Sequence, residues 1–188
     1  MTDRTPEPWE VLESRYLLRS PWRDIRVDRI RLHTGAETEY SYFEMHDAAL
    51  VVPLTVEGQI VLLRQYRHPP RAWVLEVVGG MIGPEGAPEC ARRELAEEIG
   101  GRCRQLVPVA SYYAVTASSS ARNHAFVALD VELGEPDRED MELLDTVLLD
   151  PDDAFARARD GRIDDGQSAL ALLMAEPIVR AHLARRGG

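Results

Sequence analysis

Apolar and polar positions alternate over residues 9–19 (WEVLESRYLLR) and 25–33 (IRVDRIRLH), the two-residue rhythm of strands, with Ser20-Pro21-Trp22 as a turn between them. Residues 48–56 (AALVVPLTV) are almost wholly apolar and read as a buried strand. Glu57-Gly58 then makes a hairpin turn into a return strand at 59–66 (QIVLLRQY), and 73–78 (WVLEVV) is a further short strand. The rhythm changes over 88–99, where Ala91, Leu95 and Ile99 recur at every fourth position and form one apolar stripe of a helix. Pro88 suits its first turn, and Gly100-Gly101 stops it. Strands return at 105–115, 124–133 and 143–149, with an acidic loop at 134–141. A helix spans 151–160 and ends at Gly161; a last one runs from about 168 to 183, with Pro177 as a kink or break. Residues 1–8 read as a loose tail. Antiparallel hairpins mixed with helices, and few long crossovers, make the class α+β: a mixed sheet covered by helices.

A chain of 188 residues with 45% hydrophobic positions has the core of one ordinary domain, with room for a short extra arm. Its net charge of −10 repels a phosphate backbone, so nucleic acid is not an expected partner, although a local cation can still favour a small phosphorylated ligand. All 22 basic residues are arginine, which excludes both a Schiff-base lysine and a P-loop lysine. The two cysteines, Cys90 and Cys103, show neither disulfide-framework nor zinc-ligand spacing. A polar, acidic N-terminus and the lack of a long apolar run argue against a signal peptide or a membrane span, and a cytoplasmic protein is expected.

The chemistry concentrates at 79–101, GGMIGPEGAPECARRELAEEIGG. Glu94, Glu97 and Glu98 stand at i, i+3 and i+4 of the predicted helix, on one face. Like charges at that spacing cost about 0.2–0.5 kcal/mol per pair. A bound hard cation reverses the sign, because Mg²⁺ and Mn²⁺ take carboxylate oxygens shared with substrate phosphates. Three glutamates on a helix also occur as a plain solvated face. What favours the metal is the surrounding spacing: Gly79, five residues, Glu85, seven residues, Arg93-Glu94-Leu95, one residue, Glu97-Glu98, one residue, Gly100. A glycine-rich loop of this kind approaches a ligand closely and delivers Glu85 to the helix, where Arg93 can pair with it.

This segment resembles the Nudix box of the Nudix hydrolases, GX5EX7REUXEEXGU with U aliphatic; only Gly101, in the last aliphatic position, departs. Gln65-Tyr66-Arg67, the run Trp73-Val74-Leu75-Glu76 and the tail from Asp145 to Ala175 are similar to the ADP-ribose and ADP-sugar pyrophosphatase subfamily, so the likeness extends over most of the chain from Trp9 onward. The resemblance implies a Nudix-type α/β/α sandwich with a mixed central sheet at 47–188, preceded by an N-terminal β arm at 1–46. It implies a homodimer that exchanges the arms, a Mg²⁺ (or Mn²⁺) cofactor held by Glu94, Glu97 and Glu98 with Glu85 and the backbone of Gly79, and a nucleoside diphosphate sugar as substrate. ADP-ribose, split to AMP and ribose 5-phosphate, heads the expected substrates. GDP-mannose, a dinucleoside polyphosphate and coenzyme A are the alternatives, and a domain that senses a nucleotide sugar without cleaving it is the non-catalytic one.

Within that resemblance Arg67 is a diphosphate clamp, since a guanidinium fork matches phosphate oxygens, or else a strand-end partner in a surface ion pair. Glu76 either accepts hydrogen bonds from sugar hydroxyls or a water, or orients the loop. Trp9 and Trp22 either stack a purine or pack a strand pair or dimer interface. Relatives carry a glutamate in the loop that here reads YYAVTASSSARNHAF, residues 112–126, which contains no acid. The proton acceptor then falls to Glu97 or Glu98, to His124, or to Glu139 or Glu142 of the acidic loop.

Overall fold

The structure, a computed structural model, describes residues 7–21, 23–137 and 143–187. Residues 1–6 of the expected tail, Trp22, and Glu139 and Glu142 of the acidic loop lie outside the described residues. The chain divides into two compact units, Met1–His46 with Val115–Ala121, and Asp47–Ala114 with Arg122–Gly188.

The first unit is an antiparallel sheet in the order β1 (Glu10–Leu18), β2 (Asp24–Arg31), β3 (Glu37–Glu44). The sequence pattern gives the first two strands and misses the third, because ETEYSYFE carries little apolar signal. Charge across the ladder holds it: Arg29 meets Glu37 at 2.8 Å, Arg15 meets Glu39 at 2.7 Å, and Arg31 bridges Glu10 at 2.6 Å and Glu37 at 3.1 Å. Residues 115–121 join this unit through the Phe43 N–H, which donates to the Ser118 carbonyl, and the Tyr40 hydroxyl, which donates to that of Ala117.

The second unit is built on a sheet in the order β10 (Leu144–Leu149), β5 (Ile60–Arg67), β4 (Ala48–Thr55), β9 (Arg122–Val131), β8 (Gln105–Tyr113); β6 (Ala72–Glu76) pairs with β5 and β7 (Val78–Met81) with β4. The β4–β9 pairing is parallel and the others are antiparallel, so the sheet is mixed as expected. Strand β4 explains the continuous apolar run. Ala49 and Val51 pack with Cys90, Ala91, Leu95 and Ile99 of α1 (Ala87–Ile99) on one face. Val52 and Leu54 pack with Phe155 of α2 (Pro151–Asp160) and Leu172, Ala175 and Val179 of α3 (Gly166–Arg186) on the other. A strand buried on both faces does not alternate. The result is the α/β/α stack that the resemblance implied. Among the described residues no helix is long and apolar enough to cross a membrane.

Two further elements differ from the sequence reading by more than a shift of their ends. The helix expected to kink or break at Pro177 runs unbroken from Gly166 to Arg186. Proline removes one helix hydrogen bond, and the burial of Ala175 and Val179 on either side of it holds the helix together. The single strand expected at 73–78 divides at Val77, whose N–H donates to the buried Ser168 hydroxyl of α3 at 3.1 Å instead of to a neighbouring strand. The chain thereby passes from the edge of β5 to the edge of β4 and carries Gly79 and Gly80 into the sheet.

Helix α1 ends as the two glycines predict. Gly100 takes the left-handed conformation (φ 62°), its N–H donating to Ala96 at 2.9 Å, while the Gly101 N–H donates to Leu95 at 2.8 Å. A Cβ at Gly100 would run into the Gly134 backbone. Gly100→Ala is therefore expected to cost about 1–3 kcal/mol, from the left-handed penalty together with the collision. Urea denaturation followed by far-ultraviolet circular dichroism measures it, and a loss below about 0.5 kcal/mol, the scale of an ordinary surface change, would contradict this account.

Candidate active site

The β7–loop–α1 segment folds the two glycines back under the helix. Gly79 and Gly80 pair with Leu50 and Ala49 of β4. A Cβ at Gly79 would lie 2.5 Å from the Ala49 carbonyl oxygen, and one at Gly80 would occupy the place of the Glu94 carboxylate. Only glycine leaves that space. Into it come the two inward glutamates of α1: Glu94 is 8% exposed and Glu98 4% exposed. Glu98 Oε2 accepts the Gly79 N–H at 3.0 Å. A charge-assisted bond of this kind is among the stronger ones a protein makes, and it is what a buried carboxylate requires.

Arg93 gathers the other acids. Its guanidinium meets Glu94 at 2.8 Å, Glu97 at 2.7 Å and Glu85 at 3.4 Å, and Nη2 also donates to the Met81 carbonyl at 3.4 Å. Partial burial works against the Arg93 charge, but the Glu94 and Glu97 carboxylates outweigh it and hold the guanidinium firmly protonated. The Glu85 carboxyl lies below its ordinary value, held there by its own backbone N–H, then that of Gly83, then Arg93. Glu97 differs from its two neighbours: its side chain is 43% exposed, at the rim of the cluster. Cys90, which the sequence reading left without a role, gives its thiol to the Met81 carbonyl at 3.3 Å; burial, then the Glu94 charge, push its pKa up to about 11, so it packs the loop as a neutral group.

Among the described residues no three His, Cys, Asp or Glu side chains are already drawn together around a cation position. Arg93 stands among the carboxylates and compensates their charge. The donor set nonetheless fits a hard divalent cation, because it is all carboxylate and backbone oxygen, without imidazole or thiolate. Two of its members are buried acids packed against glycine backbone.

Arg67 and Glu76 come together as a pair. Arg67 Nε reaches both Glu76 oxygens, at 2.8 and 3.0 Å, and Nη2 reaches Oε2 at 2.5 Å. The hydrogen bonds that Arg67 donates to Glu76 raise its pKa against the opposing effect of burial, and the charges of Glu76, Asp165 and Glu98 add to the rise. Arg67 thus sits within the field of both α1 and the start of α3. Asp165 and Ser168, absent from the sequence reading, build that corner: Asp165 caps α3 by accepting the Ser168 N–H at 2.9 Å. The signal was present as an Asp just ahead of an apolar run, a residue favoured at the N-cap.

Trp9 belongs to the three-stranded unit, half exposed, its ring centroid 6.0 Å from that of Tyr40. Trp22 is outside the described residues. His124 on β9 is hydrogen-bonded on both ring nitrogens, to Ser111 at 2.9 Å and to Asp47 at 3.3 Å.

Comparison with known proteins bears on both units. Residues 44–170 match the model of the NUDIX domain, and residues 9–43 match the nucleoside diphosphate sugar hydrolase N-terminal domain. An ADP-ribose pyrophosphatase of Bacillus subtilis (strain 168) is 25% identical over 152 residues, covering 79% of this chain and 82% of the relative. The ADP-ribose pyrophosphatase of Escherichia coli (strain K12) is 29% identical over 169 residues, covering 79% and 78%. A crystal structure of an ADP compounds hydrolase superposes with a TM-score of 0.83 at 19% identity, covering 95% of this chain and 98% of that one, which shows a shared fold.

The Arg67–Glu76 pair is asymmetric: the arginine side chain is 47% exposed and the glutamate 10%. Arg67→Ala strands a buried carboxylate and is expected to cost about 1–3 kcal/mol, whereas Glu76→Gln leaves a half-hydrated guanidinium and costs less. Urea denaturation of the two variants at pH 7 gives the order, and equal losses would count against it.

Proposed function

The chain belongs to the NUDIX family, and from that premise we propose that it hydrolyses the diphosphate bond of a nucleoside diphosphate sugar, first of all ADP-ribose, to AMP and ribose 5-phosphate. The observation that carries the reading is the pair of buried carboxylates, Glu94 and Glu98, packed against Gly79 and Gly80. The names of the two bacterial relatives support the choice of ADP-ribose. The match of residues 9–43 to a nucleoside diphosphate sugar hydrolase N-terminal domain supports the wider substrate class.

In this reading Glu94, Glu98, Glu97, Glu85 and the Gly79 carbonyl hold Mg²⁺ or Mn²⁺. When bound, the cation supplies positive charge that offsets the diphosphate and polarises its oxygens. Arg93 compensates the acids otherwise and keeps Glu85 close to the helix. Glu97, at the rim, is the carboxylate placed to take a proton from the attacking water, since the loop at 112–126 offers no acid. Arg67 meets Glu76 through Nε and Nη2, so its Nη1 edge is the part offered to a phosphate oxygen, and Glu76 serves as its orienter. Trp9 and Trp22 provide aromatic faces for the base, in a homodimer formed through the arm.

The acid-free loop favours one second reading, a domain that binds the nucleotide sugar without cleaving it. Incubation with ADP-ribose and Mg²⁺ or Mn²⁺, with phosphate released by added phosphatase as the readout, separates the two. Turnover is expected, and Glu98→Gln is expected to lower it by more than about a hundredfold while leaving the thermal melt close to that of the parent protein. A Glu98→Gln protein that keeps near-parental turnover would remove that carboxylate from the mechanism. Binding of ADP-ribose without turnover would establish the sensor.

A further inference from the structure

A second cluster of reactive side chains includes none of the four glutamates. Ser111 and His124 face each other across the β8–β9 ladder, and Asp47 directly precedes β4. Ser111 Oγ lies 2.9 Å from His124 Nδ1, and His124 Nε2 lies 3.3 Å from Asp47 Oδ2. Asp47 is fixed at two further points: its Oδ1 accepts the Arg122 N–H at 2.8 Å and its carbonyl accepts the Ile82 N–H at 2.8 Å. An ionised Asp47 can only accept, so it places the imidazole proton on Nε2 and leaves the Nδ1 lone pair for the serine hydroxyl. This is the nucleophile–base–orienter order of a serine hydrolase, with the two ring nitrogens exchanged.

The cluster opens on a groove. About 520 Å³ of space is lined by Ser111 and His124 together with the apolar Pro108 and Phe126 of the sheet and Ala87 and Pro88 of α1. Helix α1 begins there on Gly86, which offers no side-chain acceptor to the first-turn N–H groups. Ser111 is exposed and Asp47 and His124 are half-buried, so a small molecule can reach the hydroxyl. The volume is that of a small-molecule site, and apart from Ser111 and His124 the lining is apolar.

We propose that Ser111, His124 and Asp47 form a second, metal-independent nucleophilic site that accepts the acyl group of small uncharged esters. Ser111 Oγ bonds to the ester carbonyl carbon while its proton passes to His124 Nδ1. The ester C–O bond breaks, and the departing alkoxide takes that proton. Water then adds to the acyl-serine, giving its proton to Nδ1, and the serine leaves as the free hydroxyl with the carboxylic acid as product. No redox partner is needed. The proposal is independent of diphosphate hydrolysis and stands or falls separately from it.

The test uses the full-length protein in EDTA with a fluorophosphonate probe and with p-nitrophenyl butyrate. Labelling is expected on the peptide that holds Ser111, identified by mass spectrometry, with butyrate release above the rate in buffer. Ser111→Ala, a change at an exposed position, is expected to abolish labelling. Asp47→Asn, which can supply a donor to Nε2 and so favour the wrong tautomer, is expected to lower the labelling rate more than tenfold. Absence of labelling, labelling at another serine, or an undiminished rate in His124→Gln overturns the proposal.

Discussion

The structure turns on the burial of two negative charges. Glu94 and Glu98 are almost without solvent, and a carboxylate in that position costs several kcal/mol unless donors meet it. One of the donors is the Gly79 N–H. That bond requires β7 to lie along β4, where the two residues that face Leu50 and Ala49 carry no side chains. The packing of α1 on Ala49 and Val51 supplies the rest, since it brings the helix close enough for its acids to reach the strand backbone. Fold and site therefore share one constraint: the helix docks only where the glycines are, and the glycines are tolerated in a strand because the acids fill the space above them.

Arg93 follows from the same electrostatics. A cluster of four glutamates without a counter-charge would repel itself, and in a chain that has no lysine the counter-charge must be a guanidinium. Its fork has the further advantage of reach. One side chain touches Glu85 from the loop, Glu94 within the helix and Glu97 at the rim, which a single ammonium on a point contact does less well. The arginine thereby couples the position of the loop to the charge state of the helix face, and in the proposed reaction this links the order of the loop to the filling of the site.

Much of this was legible in the chain. The buried strand at 48–56, the stripe of Ala91, Leu95 and Ile99, and the spacing from Gly79 to Gly100 each carry a local physical signature; the pattern yields a mixed sheet covered by helices, and the α/β/α stack follows from the family resemblance. Strands β3 and β7 were not legible for opposite reasons. The first is stabilised by arginine–glutamate pairs to β1 and β2, which no periodicity announces. The second has two glycines among its four residues and so almost no side-chain pattern. The Arg67–Glu76 pair was hidden because each residue had a plausible separate use and the β5–β6 register sets them opposite other residues, Arg67 facing Ala72 and Glu76 facing Leu63; only the side-chain hydrogen bonds join them. Ser111 and His124 come from two strands and Asp47 from the residue before a third, 77 positions from His124, so nothing local joins them.

The corner at Val77 shows why the far side of the sheet matters to the acids. A strand that continued straight past Glu76 would stay on the edge of β5 and never present its glycines to β4. The chain changes partner because the Val77 N–H is taken by Ser168, a hydroxyl that is itself buried and held at the first turn of α3 by the Asp165 cap. The capping group of a helix on one face of the sheet therefore sets where the glycine pair lies for the helix on the other face. Asp165 also adds to the field that keeps Arg67 charged, so the same residue acts on the site twice, once through the backbone and once through its charge. Helix α3 contributes none of the proposed metal-holding acids. Its N-terminus is nevertheless part of the site's construction, because Ser168 takes the N–H at the corner from which β7 sets out along β4.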